Sequence, residues 1–189
     1  MIEPLHVAAA AYGCAELVLA ALRRSSRHDS TARSHDRGSL QLLWVVIAVS
    51  MGAAVGFGLA CDIGRFELGA SLRIAAWCAL AASAALRIWS IVVLGRFFTV
   101  DVAIRDDHQL VVSGPFRVLR HPSYTGVLGV VASLFLLFGN AIALGVGLAG
   151  VLLALLHRIR IEERALAAAF GDAWTAHCAR TWHLVPFVW

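Results

Sequence analysis

With 189 residues, 60% of them hydrophobic and 15% charged, and a mean hydropathy of +0.77, the chain is far more apolar than a soluble domain, which is about 45–50% apolar and about 25% charged. Its net charge of +4 comes from arginine, because no lysine occurs. These arginines flank apolar segments and form no stripe interleaved with aromatic residues, which argues against a nucleic-acid partner and for a polytopic helical membrane protein.

A helix needs roughly 20 apolar residues to cross the hydrocarbon core, and the first such run covers residues 4–22. Glu3 and the lack of a basic leader mark it as an expected retained span and not a cleaved signal. A polar stretch follows at 23–39 with Arg23, Arg24, Arg27, Arg33 and Arg37, expected to be a mobile basic loop. The second span is placed at 40–61 and ends in a short loop holding Asp62, Arg65 and Glu67. The third runs over 72–95 and contains Arg87, a functional candidate because ionisable groups inside a span are costly. After a polar segment at 96–123, the apolar run 124–156 is too long for one ordinary span. Gly139-Asn140 is a turn-type dipeptide that divides it into a hairpin. The expected fold is therefore all-α, with about five transmembrane helices in one membrane domain, 1–189, and a C-terminal cofactor-binding region.

The first loop, the 96–123 segment and the tail hold thirteen arginines, against Arg65 and Arg73 on the opposite side. Arginine enrichment marks cytoplasmic loops, so the polar segments are expected to share the cytoplasmic face, with the N-terminus outside. The cysteines Cys14, Cys61, Cys78 and Cys178 show no C-x-x-C spacing and read as small core residues.

Two polar clusters stand out. In the first, HQLVVSGPFRVLRHPSY over 108–124, Gly114-Pro115 is a turn. Pro122 keeps His121 out of the α region and itself suits the first helical turn. His121 thus sits at a helix mouth, where free N–H groups and the dipole favour a carboxylate or phosphate. Arg117 and Arg120 either serve this site or anchor the helix at headgroups. No second His or Cys stands at ligand spacing from His121, so no metal is expected. In the second cluster, Arg158 and Glu162 are four apart and share a helix face. Glu163 points elsewhere and is expected to be solvated. His177 and His183 read as packing residues, His6, His28 and His35 as surface groups, and Trp174, Trp182, Phe187 and Trp189 as an interfacial aromatic belt.

Together with LRIWSIVVLGRFFT at 86–99 and RIRIEERALAAAFGDAWTAHCARTWHLVPF at 158–187, these motifs resemble the isoprenylcysteine carboxyl methyltransferase family. The resemblance runs over 87–189, leaving 1–86 without a signature, and the length is similar to the short prokaryotic members. It implies an integral protein of a prokaryotic cell membrane, whose site the arginine distribution is expected to set on the cytoplasmic face. It also implies S-adenosylmethionine as methyl donor. The implied cofactor positions are His108, Gln109, Leu110 and Val111, then Phe116, then His121, Pro122, Ser123 and Tyr124, and finally Glu162. Arg158 falls on the family's substrate-carboxylate arginine and, with Glu162, is the implied catalytic pair. Against the family pattern, Phe116 replaces a tyrosine, Asp101 an amide, and His177 a tyrosine.

The activity these readings support is methyl transfer to the carboxylate of a prenylated or lipid-like acceptor drawn from the bilayer, with membrane lipids as neighbours. A carboxylate is already ionised at neutral pH and requires no base. A phospholipid amine or phenolic lipid would require one, with His121, Glu162 and Asp101 as candidates. An NADPH-dependent membrane reductase and a non-enzymatic membrane protein are the remaining alternatives.

Overall fold

The computed structural model describes residues 4–22, 32–34, 38–99, 103–105 and 107–187. Asp101, Trp189, His28, His35 and most of the basic 23–37 stretch lie outside the described residues. Five long helices carry the fold: α1 (Pro4–Leu22), α2 (Ser39–Ala60), α3 (Ala70–Leu94), α4 (Pro122–Phe138) and α5 (Ala141–Phe170). A short α6 (Asp172–Cys178) follows. All helices except α4 and α6 are long and apolar enough to cross a membrane. At 17 residues, α4 spans about 25 Å at 1.5 Å per residue, slightly less than the roughly 30 Å hydrocarbon core.

The expected hairpin forms at the expected place. Gly139 ends α4 in the left-handed region (φ 74°), a conformation glycine adopts without a Cβ clash. Asn140 then caps α5, its side-chain oxygen accepting from the backbone N–H groups of Ile142 (3.0 Å) and Ala143 (2.9 Å).

Helix α3 packs along α4 and α2 along α5. The core is built where α2, α4 and α5 meet, around Leu43, Ala54, Phe135, Val151 and Leu155. Gly126 lets α4 approach α3 closely: a Cβ there would stand 2.8 Å from the Ser83 carbonyl oxygen and 2.9 Å from the Arg87 Cβ. Small residues give this kind of contact in membranes, where dispersion and polar contacts hold helices together. Helix α1 differs, with no buried residue among those described.

One departure from an all-helical chain lies at the polar end. Ala32–Ser34 (β1) pairs antiparallel with Ala103–Arg105 (β2), so part of the expected mobile loop is tied to the segment before the first polar cluster. Hydrophobicity carried no sign of it, because both strands are three residues long and their pairing joins loops far apart in sequence.

Candidate active site

The first polar cluster folds as a one-turn 3-10 helix, Gly114–Arg117, followed by His121 and the start of α4. His121 is the residue before the helix, with Pro122 in its first turn. The C-terminal tail lies against this corner. Arg120 N–H donates to the Trp182 carbonyl (2.7 Å), Trp182 N–H to Val118 (2.9 Å), and His121 N–H to His183 (3.2 Å). The Thr125 hydroxyl adds a bond to the Leu184 carbonyl at 2.6 Å.

Successive residues on α5 point about 100° apart, and this separates the two glutamates into two tasks. Glu162 faces Tyr124: the phenol donates to Glu162 Oε2 at 2.7 Å and accepts from Arg158 Nε at 3.0 Å. Tyr124 therefore stands between Arg158 and Glu162 as a relay. Glu163 faces the tail. Its Oε1 accepts from Arg120 Nη1 (3.2 Å), His121 Nε2 (3.2 Å) and His183 Nε2 (3.0 Å). The expectation that Glu163 is solvated is overturned, since its side chain is only 22% exposed. His183 likewise belongs to this latch and not to simple aromatic packing, and Arg120 is drawn inward instead of out to headgroups. His121, Glu163 and His183 bring one ligand atom each within 4.8 Å of one another. Spacing along the chain concealed this triad because His183 arrives from the tail. Arg120 shares the same carboxylate oxygen, so the arrangement is a hydrogen-bonded latch. Burial pulls the His183 imidazole below its ordinary value, with the Glu163 carboxylate opposing. Burial lowers His177 as well, helped by the Arg120 and His121 charges.

Two cavities lie end to end. The first, about 830 Å³ with its open mouth included, opens at the polar end between the Gly114–Arg117 turn, α4, α5 and α6. Of the residues expected to bind the cofactor, His108, Gln109, Leu110 and Val111 line one side of it. Phe116, His121, Ser123, Tyr124 and Glu162 line the other, with Arg158 beside them. Pro122 does not line it; it is fully buried and starts α4. The His108 ring stacks on Phe97 at 4.8 Å. Trp174 and His177 also line this cavity. Trp174 is 6% exposed, so it is a wall of the cleft and not part of an interfacial belt; Trp182 and Phe187 do stay exposed. Arg120 Nε is buried without a hydrogen-bond partner among the described residues, an unmet donor at the cleft.

The second cavity, about 1020 Å³ with its open mouth included, runs between α1, α2, α4 and α5 and is lined mostly by apolar side chains. It meets the first at Phe98, Thr99, Tyr124 and Arg158. Arg87 lines it too. It does not snorkel: it is 9% exposed, with Nε and Nη2 donating to the Glu16 carboxylate at 2.8 and 2.7 Å and Nη1 donating to Ser123 Oγ. Glu16 escaped the sequence reading, although an acid inside a span, four residues after Tyr12, was signal enough.

Comparison with known proteins returns one family. The isoprenylcysteine carboxyl methyltransferase family profile matches residues 75–168. Protein-S-isoprenylcysteine O-methyltransferase B of Arabidopsis thaliana is 33% identical over 105 residues, 54% of this chain and 53% of that protein. The chain thus spans about half the length of this curated relative. The solved structure of the eukaryotic intramembrane Ras methyltransferase, an isoprenylcysteine carboxyl methyltransferase, superposes with a TM-score of 0.55 at 24% identity. That match covers 78% of this chain and 52% of the other, and establishes likeness of fold.

Proposed function

Because the chain belongs to the isoprenylcysteine carboxyl methyltransferase family, we propose that it is an S-adenosylmethionine-dependent methyltransferase acting on the carboxylate of a prenylated or lipid-like acceptor. The observation that carries this reading is the meeting of a polar cleft and an apolar cavity between the long helices at Tyr124 and Arg158. A lipid methylation needs this plan, with a water-soluble donor on one side and a greasy acceptor on the other.

The residues present fit the donor. Glu162 is an anion for its amino group, and Tyr124 orients that carboxylate. The helix mouth at His121 and the unmet Arg120 Nε suit its carboxylate, while Leu110 and Val111 offer an apolar wall to its adenine. His108, Gln109, Phe116 and Ser123 complete the lining; Pro122 acts through the start of α4. S-adenosylmethionine supplies an electrophilic methyl on a sulfonium when bound. Arg158 holds the acceptor carboxylate by a forked hydrogen-bond pair, and Arg87 is the second cation at the junction. No general base is required, since the nucleophile is ionised at neutral pH. Alignment and exclusion of water then account for the rate. In this reading the 1–189 chain acts as one membrane unit, and its arginine-rich side, with the cleft, faces the cytoplasm.

The test is transfer of labelled methyl from S-adenosylmethionine to N-acetyl-S-farnesylcysteine by the purified chain in lipid nanodiscs, beside a direct titration of cofactor binding. Expected are binding of S-adenosylmethionine and a base-labile methyl ester. Cofactor binding with transfer only to a phospholipid amine or a phenol would overturn the carboxylate reading, and binding of NADPH in its place would overturn the whole.

A further inference from the structure

Helix α1 is the least secured wall of the acceptor cavity. None of its described residues is buried, and in a bilayer an apolar helix gains little by leaving lipid for protein. Its strongest attachment is the two-pronged Glu16–Arg87 pair. That pair faces the cavity: Glu16 and Arg87 both line it, and Glu16 is the only carboxylate among its described lining residues. The Tyr12 hydroxyl, one turn earlier, is buried in the same wall beside Glu16 and Arg87. Through Ser123, Arg87 also reaches the cofactor cleft.

Glu16 thus presents to Arg87 the chemical group that the acceptor is proposed to bring. Breaking a buried pair leaves an uncompensated charge and is expensive. Replacing one carboxylate by another leaves the arginine paired throughout, and Glu16, within two turns of the end of α1, is carried to the water interface as the wall moves, so neither charge is stranded. We propose that Glu16 is a specificity-determining residue that holds Arg87 in place of the acceptor's anionic head, and that a carboxylate acceptor gains Arg87 by displacing Glu16 together with the α1 wall. This deepens the acceptor reading given above and rests on it. It selects for acceptors with an anionic head, because a neutral head cannot compete with Glu16 for the guanidinium.

The test uses the full chain without cofactor and reads binding by tryptophan fluorescence, for which Trp44 lies in the cavity wall. The probes are N-acetyl-S-farnesylcysteine and its carboxamide. Glu16→Gln should bind the acid about tenfold more tightly, with the carboxamide changed less than about twofold. In the unaltered protein, saturating acid should accelerate hydrogen exchange across α1, and the carboxamide should not. Unchanged or weaker acid binding by Glu16→Gln overturns the proposal. Unaltered α1 exchange under saturating acid also overturns it, and decides alone should Glu16→Gln fail to fold. Neither probe binding the unaltered protein overturns both the proposal and the acceptor reading. Acid-driven α1 release without methyl transfer supports the exchange and counts against the reaction only.

Discussion

The two ends of the site are held together in opposite ways. At the proposed cofactor end, residues 118–121, the start of α4, α5 and the tail interlock: Glu163 alone takes three donors, the 118–121 backbone pairs with 182–183, and Thr125 donates to Leu184. At the proposed acceptor end, α1 closes the cavity without burying any of its described residues and is fastened chiefly at Glu16. The difference matches what each proposed ligand would demand. A polar donor molecule needs fixed hydrogen-bond partners, whereas a lipid must enter sideways past a wall that yields.

The largest expected effect breaks the comparison at its seam. Arg158→Ala should reduce methyl transfer by about a hundredfold or more while cofactor affinity stays within about threefold. Equal loss of both would show that Arg158 serves the cofactor and not the acceptor. Next, Glu163→Ala leaves Arg120 and two histidines without their shared acceptor, and should cost about 3–5 kcal/mol of stability, read as a lower thermal midpoint with weaker cofactor binding. Glu163→Gln, which keeps an oxygen acceptor, should lose less. Third, Tyr124→Phe removes the relay between Arg158 and Glu162, for about 1–3 kcal/mol, and should raise both the cofactor Kd and the acceptor KM; an effect on one alone would assign Tyr124 to that side. Asn140→Ala, at the far end of α5, should cost about 1 kcal/mol as a lost helix cap and leave both ligand affinities unchanged.

The smallest effect concerns pH. Burial lowers His177, so the folded state resists its protonation. The unfolded chain then binds the proton more readily, and this contribution to stability is present above the ordinary histidine value near about 6.5. It is lost as pH falls through that value and below. The thermal midpoint should fall between pH 8 and pH 5, and His177→Gln should flatten that fall; an unchanged slope would place the acid sensitivity in the Glu163 latch.

Much of this architecture is readable along the chain. Apolar runs placed the long helices, four of which have spanning length, Gly139-Asn140 placed the hairpin, and His121-Pro122 placed the helix mouth, because each depends on neighbours within a few residues. The face shared by Arg158 and Glu162 followed from the helical period for the same reason. The partners of Glu163 were hidden: Arg120 and His121 come from forty residues earlier and His183 from the tail, and no local period links them. Glu16 was hidden likewise, 71 residues from Arg87.

The sequence by itself determined the membrane class, the long helices and the hairpin turn between α4 and α5, since hydropathy, turn chemistry and helical spacing act over short stretches. Only the tertiary structure decided which buried charges meet. A charge inside the bundle must find a partner, but which partner depends on how helices distant in sequence pack. Here that packing set Glu163 on the tail and Glu16 on Arg87.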